Sequence, residues 1–238
     1  VQKANTKSSA EAIELGIKIH PSSIILQAKK AKLYLLLNKK EEALRIIKNV
    51  NQIENTDIEN LLTEGEILIQ LNQTKEAEFI FEYVISLEKE NLEQIYLDIA
   101  YVFLNNLLFL ESIRYLELGL EQNNKNEDIL FELAFAYKQT ENIDKSIKTY
   151  DKIIDLNPYS NEAWFNLGQL YFIDEDYEAS IEAFDFATSI DENDSMAWLQ
   201  KGHALFQNEN YLKAIEAYSS YMQLTLYKDS ALIYIGES

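Results

Sequence analysis

The sequence predicts an all-α protein built from one helical hairpin repeated along the chain, and three observations carry that prediction. The first is a phrase written twice. Residues 163–168 read AWFNLG, and residues 197–202 read AWLQKG, thirty-four residues later. The second is a small residue that holds one phase throughout, described below. The third is composition: 47% of the 238 residues are hydrophobic, but only 6 are Gly and 2 are Pro, too few for a β protein with many tight turns.

The period sets a frame. Units begin at Ile24, Ile58, Glu93, Glu127, Asn161, Ser195 and Asp229, each 34 residues after the last except for one step of 35. The frame divides the chain into a partial unit at 1–23, full units at 24–57, 58–92, 93–126, 127–160, 161–194 and 195–228, and a partial unit at 229–238. The eighth place of every unit is Ala or Gly, from Ala31 to Gly236, and the twentieth is Ala or Ser. The twenty-fourth is always large, with Ile47, Phe81, Leu116, Tyr150, Phe184 and Tyr218 in the full units. Both prolines, Pro21 and Pro158, share the thirty-second place.

Each element follows from that pattern. Apolar residues three and four apart, as in Trp164, Leu167 and Tyr171, make the first half of a unit one amphipathic helix. A polar break follows, such as Asp174-Glu175-Asp176 or Asn208-Glu209-Asn210. Tyr177, Ile181 and Phe184 then mark a second helix. Small residues in the eighth and twentieth places let the two helices approach, while bulky neighbours fill the space beside them. Proline late in the unit stops the second helix, and connectors such as Asp191-Glu192-Asn193-Asp194 offer N-caps for the next.

A 34-residue period carrying W-x₂-L-G-x₂-Y, then A-x₃-F, then P resembles the tetratricopeptide repeat. The unit at 161 matches most fully, with Trp164, Leu167, Gly168, Tyr171, Ser180 and Phe184. The unit at 195 has Trp198, Gly202, Ala214 and Tyr218, but Lys201 where leucine is usual. Lys30 and Glu64 depart at the same place, and Gln27 replaces the aromatic residue. The resemblance implies a solenoid of antiparallel helix pairs wound as a right-handed superhelix, with first helices lining a concave face where peptides bind. Both ends of the frame fall inside a unit, which leads us to expect a fragment of a longer array whose ends expose apolar faces.

Chemistry is sparse. There is no cysteine, so thiolate metal sites and a cysteine nucleophile are excluded. The two histidines, His20 and His203, lack metal-ligand spacing, and no phosphate-cradling glycine loop or nucleophile elbow occurs. Acidic stretches lack the alternation and glycine of a calcium loop. We therefore expect no enzyme activity, no metal and no cofactor. A net charge of −19 disfavours nucleic acid as a partner. No apolar run is long enough for membrane insertion, and a soluble, cytoplasmic protein is expected.

The second, fifth, ninth and twelfth places face the groove if the resemblance holds. In the unit at 93 the candidate binding residues are Leu97, Tyr101 and Leu104, and in the unit at 127 they are Phe131, Phe135 and Lys138. Phe165, Gln169 and Phe172 follow in the unit at 161, then Leu199, His203 and Phe206 in the unit at 195. Such a row suits an apolar or amphipathic peptide, with the polar members fixing its orientation. The set of lysine, asparagine and arginine with which the family grips chaperone tails is absent. The expected role is a non-catalytic scaffold for a protein or peptide. Two alternatives stay open: a module regulating an enzyme or signalling domain of a longer parent, and a self-assembling structural protein. Self-association would use exposed array ends or Leu107 and Leu108, apolar residues in a turn that is polar elsewhere.

Overall fold

The computed structural model describes the backbone of residues 2–236 and the side chains of residues 11–225. Thirteen helices and no strand occur among the described residues, in two compact halves, Val1–Asn124 and Lys125–Ser238. The amino-terminal half holds α1 (Gln2–Ile19), α2 (Ile24–Leu36), α3 (Lys40–Ile53), α4 (Ile58–Gln70), α5 (Thr74–Leu87), α6 (Leu92–Asn105) and α7 (Phe109–Gln122). The carboxy-terminal half holds α8 (Glu127–Gln139), α9 (Ile143–Leu156), α10 (Asn161–Ile173), α11 (Tyr177–Ile190), α12 (Ser195–Gln207) and α13 (Tyr211–Gly236). Within the first half α2 packs on α3, α4 on α5 and α6 on α7; within the second, α8 packs on α9, α10 on α11 and α12 on α13. Second helices also pack on the first helix that follows, as α3 does on α4 and α11 on α12.

The helix starts are chemically specified. Ser23, Asp57, Asn126, Ser160 and Asp194 each place a side-chain oxygen where it accepts a hydrogen bond from a first-turn backbone N–H. Such a cap is worth ~1 kcal/mol. The single step of 35 is absorbed in α6, which begins at Leu92 and has 14 residues where the other first helices have 13. Its N-cap, Asn91, makes no side-chain cap bond, and the Glu88 carboxylate accepts instead from the N–H groups of Lys89 and Glu90.

Every turn inside a hairpin is closed the same way. Asn38, Asn72, Leu107, Glu141, Glu175 and Glu209 all occupy the fifteenth place, and all have φ between 58° and 62°. The next residue donates its N–H to a carbonyl five residues back, as Leu108 does to Phe103 (2.9 Å) and Asp176 to Tyr171 (2.9 Å). This is a left-handed stop that satisfies the last helical carbonyls. Cβ crowds the following carbonyl there in any non-glycine residue; asparagine offsets this with local hydrogen bonding, which leucine lacks. Leu107 is nonetheless there, 72% exposed, and Leu108 is half-buried.

Three of the hairpins close on a ring laid over a glycine. A Cβ added to Gly65 would overlap the Phe81 ring, one at Gly168 would lie 2.8 Å from Phe184, and one at Gly202 would lie 2.5 Å from Tyr218. Where the eighth place is Ala31 or Ala100, the twenty-fourth is the smaller Ile47 or Leu116, and all four are fully buried. A serine in the twentieth place adds a bond across the same contact. Ser146 Oγ donates to the Ala134 carbonyl (2.7 Å), and Ser180 Oγ to that of Gly168 (2.8 Å). Ser112 stands in the same place, fully buried, but its Oγ has no partner.

The backbone of α13 runs unbroken from Tyr211 to Gly236, through residue 229, where the frame begins a further partial unit. The described side chains stop at residue 225, so the packing of 229–238 lies outside the described residues. α13 also exposes Leu212, Ile215 and Met222. Among the described residues, no helix is long and apolar enough to cross a membrane.

Candidate functional site

The groove candidates divide by half. In the amino-terminal half, Leu97 and Leu104 are 3% and 8% exposed, and only Tyr101, at 36%, reaches the surface. The expectation that both leucines face a partner is thereby corrected. Aliphatic side chains at the twelfth place, Ile69 and Leu104, are short enough to be covered by their neighbours. Lys32, Glu59 and Glu66 take three of the other outward places of this half. Lys32 pairs with Glu59, and burial pushes the Glu66 carboxyl above its ordinary 4.5, with Lys32 opposing.

The carboxy-terminal half places rings at those positions. Phe131 lies edge-on to Tyr150 with centroids 6.0 Å apart, and Phe165 lies edge-on to Phe184 at 5.8 Å. Both are half-buried, because a fifth-place ring leans on the twenty-fourth-place ring of the paired helix. The twelfth place repeats the device against the start of the second helix: Phe172 meets Tyr177 at 5.5 Å, and Phe206 meets Tyr211 at 5.4 Å. Edge-to-face pairs of this kind each add ~0.5–1.5 kcal/mol to what their burial gives. Phe206 stays 53% exposed beside its partner ring, and Phe135, at the ninth place, is 42% exposed. Phe172 and Leu199 are half-buried.

Polar groups are interleaved with the rings. Lys138 Nζ donates to Gln169 Oε1 (3.1 Å), tying α8 to α10, and desolvation pushes the Lys138 ammonium below its ordinary value. The exposed His203 has its Nδ1 3.0 Å from the Tyr218 hydroxyl. Burial, then the charges of Glu162 and Glu132, hold the Tyr150 hydroxyl far above its ordinary range, so it stays neutral. The arrangement offers flat apolar surface with a cation, an amide and an imidazole along it. Among the described residues, no group of three or more His, Asp or Glu side chains could hold a metal ion.

Three residues that depart from the usual leucine at the seventh place each acquire a partner that only the fold reveals. Lys30 lies over the Tyr34 ring, 5.3 Å from its centroid. Glu64, 6% exposed, accepts from Asn51 Nδ2 (2.8 Å). Lys201 lies 4.5 Å from the Trp198 centroid and 2.7 Å from Asp185 Oδ1. The two tryptophans also share a bond that sequence reasoning missed. Trp164 Nε1 donates to the Pro158 carbonyl and Trp198 Nε1 to that of Glu192, both 2.9 Å and both six residues back. The equal spacing of Trp from the preceding connector was the available signal.

The sequence model of the tetratricopeptide repeat family matches residues 131–195 and 175–225. No curated protein matches the chain in sequence. Solved structures do match in fold. The C-terminal part of a tetratricopeptide repeat protein from Cytophaga hutchinsonii superposes with a TM-score of 0.66 at 17% identity, covering 94% of this chain and 92% of that one. MamA matches with a TM-score of 0.60 at 17% identity, over 70% of this chain and 96% of its own. YrrB, a tetratricopeptide repeat protein with an unusual peptide-binding site, matches with 0.50 at 20% identity, over 79% and 96%. The family model thus covers residues 131–225, and with the 34-residue period the solved structures show an all-α helical repeat of tetratricopeptide type over most of the chain.

Proposed function

We propose that the protein is a non-catalytic scaffold whose carboxy-terminal half binds an apolar or amphipathic peptide along α8, α10 and α12. One observation carries the reading: Phe135, Phe172 and Phe206 stand at least partly open on the first helices, Phe172 and Phe206 each edge-on to a ring of the paired helix, and Lys138 bonds to Gln169 on those same first helices. Exposed rings that already rest on a neighbouring ring lose less side-chain entropy on binding, which favours contact with a partner. The peptide-binding site of YrrB, a protein of similar fold, supports the same class of function. The predicted binding residues of this half are Phe131, Phe135, Lys138, Phe165, Gln169, Phe172, Leu199, His203 and Phe206; in the other half only Tyr101 remains a candidate.

The test is affinity capture from the source cell with wild type and with the Phe135→Glu/Phe172→Glu double variant. Partners captured by wild type and lost by the variant, at equal helical signal, support the groove. Equal capture by both removes it. Self-association is a second reading, favoured by the exposed Leu212, Ile215 and Met222 of α13 and by the exposed Leu107. Light scattering over a concentration series that finds a monomer throughout would dismiss it.

A further inference from the structure

A repeated fold allows one unit to be compared with another, and the unit at 24 differs from the unit at 161 where the fourth-place residue meets the preceding connector. In the unit at 161, the Trp164 ring stacks on Phe186, with centroids 4.3 Å apart and 19° between planes, while its N–H reaches the Pro158 carbonyl. In the unit at 24 the fourth place is Gln27, and its Nε2 donates to the Pro21 carbonyl (3.2 Å). The bond again spans six residues, and again it ends on proline. The amide thus reproduces the indole's hydrogen bond but not its ring. The twenty-sixth place, where Phe186 stands, holds Asn49 here.

What remains is an open pocket of about 270 Å³ in the amino-terminal half. Ile24, Ile46, Val50 and Ile53 wall it, Gln27 and Asn49 supply amides, and Pro21 and Ser22 form the lip. We propose that this pocket binds the indole ring of a tryptophan side chain from a partner polypeptide. The volume is below the ~300–1,000 Å³ of drug and cofactor sites, which suits one ring and excludes a nucleotide. Branched aliphatic walls match a flat apolar ring. The Pro21 carbonyl keeps a second lone pair, and the Gln27 and Asn49 side-chain oxygens add acceptors, so the indole N–H can be satisfied. The occupant is a side chain and not a free molecule because the equivalent place at 161 is filled by a side chain, and the open mouth leaves room for the attached backbone. The inference is independent of the phenylalanine groove.

The test uses the ¹⁵N-labelled full chain. N-acetyltryptophanamide is expected to shift the amide signals of Ile24, Asn49 and Ile53 saturably, while N-acetylleucinamide leaves them in place. Gln27→Trp should fill the pocket, raise the melting temperature and abolish those shifts; if that variant fails to fold, Asn49→Phe fills the pocket from the opposite wall. Absence of shifts through about 10 mM ligand, the range of very weak binding, overturns the proposal. Equal shifts with the leucine amide overturn it too, as does unchanged binding in the filled variant. Binding of free indole without binding of the tryptophan amide overturns the side-chain occupant.

Discussion

Two hairpins of this chain, α4–α5 and α10–α11, bury a phenylalanine over a glycine, yet the rings around those phenylalanines lie differently. Phe81 belongs to a closed aromatic cluster, edge-on to Phe103 at 5.4 Å and to Tyr115 at 6.3 Å, with Phe103 and Tyr115 stacked on each other. All three rings are 3% exposed or less. Phe184 meets one further ring, Phe165, which is only half-buried. The α4–α5 hairpin thus buries its phenylalanine in a closed aromatic cluster, while α10–α11 leaves the ring that meets Phe184 partly open to water. One backbone device supports both, so the lining of a repeat is free to vary once the eighth and twenty-fourth places fit.

The largest test of that comparison is steric. Gly65→Leu drives a side chain into a ring that cannot yield, and should cost about 3 kcal/mol, the upper end for overpacking. Gly168→Leu should cost less, about 2 kcal/mol, because Phe184 has a half-buried neighbour that can shift. Chemical denaturation of both variants checks the order, and Phe81→Ala added to Gly65→Leu should recover part of the loss. Equal losses would mean that the extra rings around Phe81 add no rigidity.

A second contrast concerns the serines. Ser180→Ala removes a bond to the Gly168 carbonyl and should cost about 1 kcal/mol, whereas Ser112→Ala removes a buried hydroxyl with no partner and should gain about the same. A loss at both sites would show that Ser112 has a bonding partner in solution. Third, Leu107→Asn should stabilise the protein by about 1 kcal/mol, since it relieves a left-handed leucine in a turn where Asn38 and Asn72 already stand. A lower melting temperature would give the leucine a packing role.

The smallest effect is electrostatic. Burial raises the folded-state value of Glu66, so the fold prefers its protonated form. The resulting cost is absent below 4.5 and fully present once pH exceeds the raised value, so the contribution falls as pH rises through that interval. Glu66→Gln should therefore melt with wild type in acid and slightly above it at neutral pH. A constant difference at all pH values would remove burial as the cause.

Much of the fold was legible because its signals are local and periodic. Helices beginning at Ile24, Ile58, Glu127, Asn161 and Ser195 are announced by a cap, an apolar period and a small residue in fixed phase. The step of 35 was legible only as a count; that α6 absorbs it at Leu92 depends on an N-terminal turn with no side-chain cap. The candidate site was less legible. A groove place is defined by phase, but phase gives Leu104 and Phe206 the same address, and one is 8% exposed while the other is 53%. Exposure depends on side-chain length and on neighbours from other units, which a single unit's pattern does not contain.

The sequence by itself determined the period, the helical hairpin and the small-against-large contact at its centre, because hydrogen bonding and close packing act at fixed separations along one chain. Only the tertiary structure decided that Ser112 has no partner while Ser180 does, that Lys201 lies across Trp198, and that Gln27 leaves room beside Pro21 where Trp164 stacks a ring on Phe186. Those outcomes depend on the three-dimensional fit of side chains brought together from different helices and connectors, and fit is a property of the assembled surface.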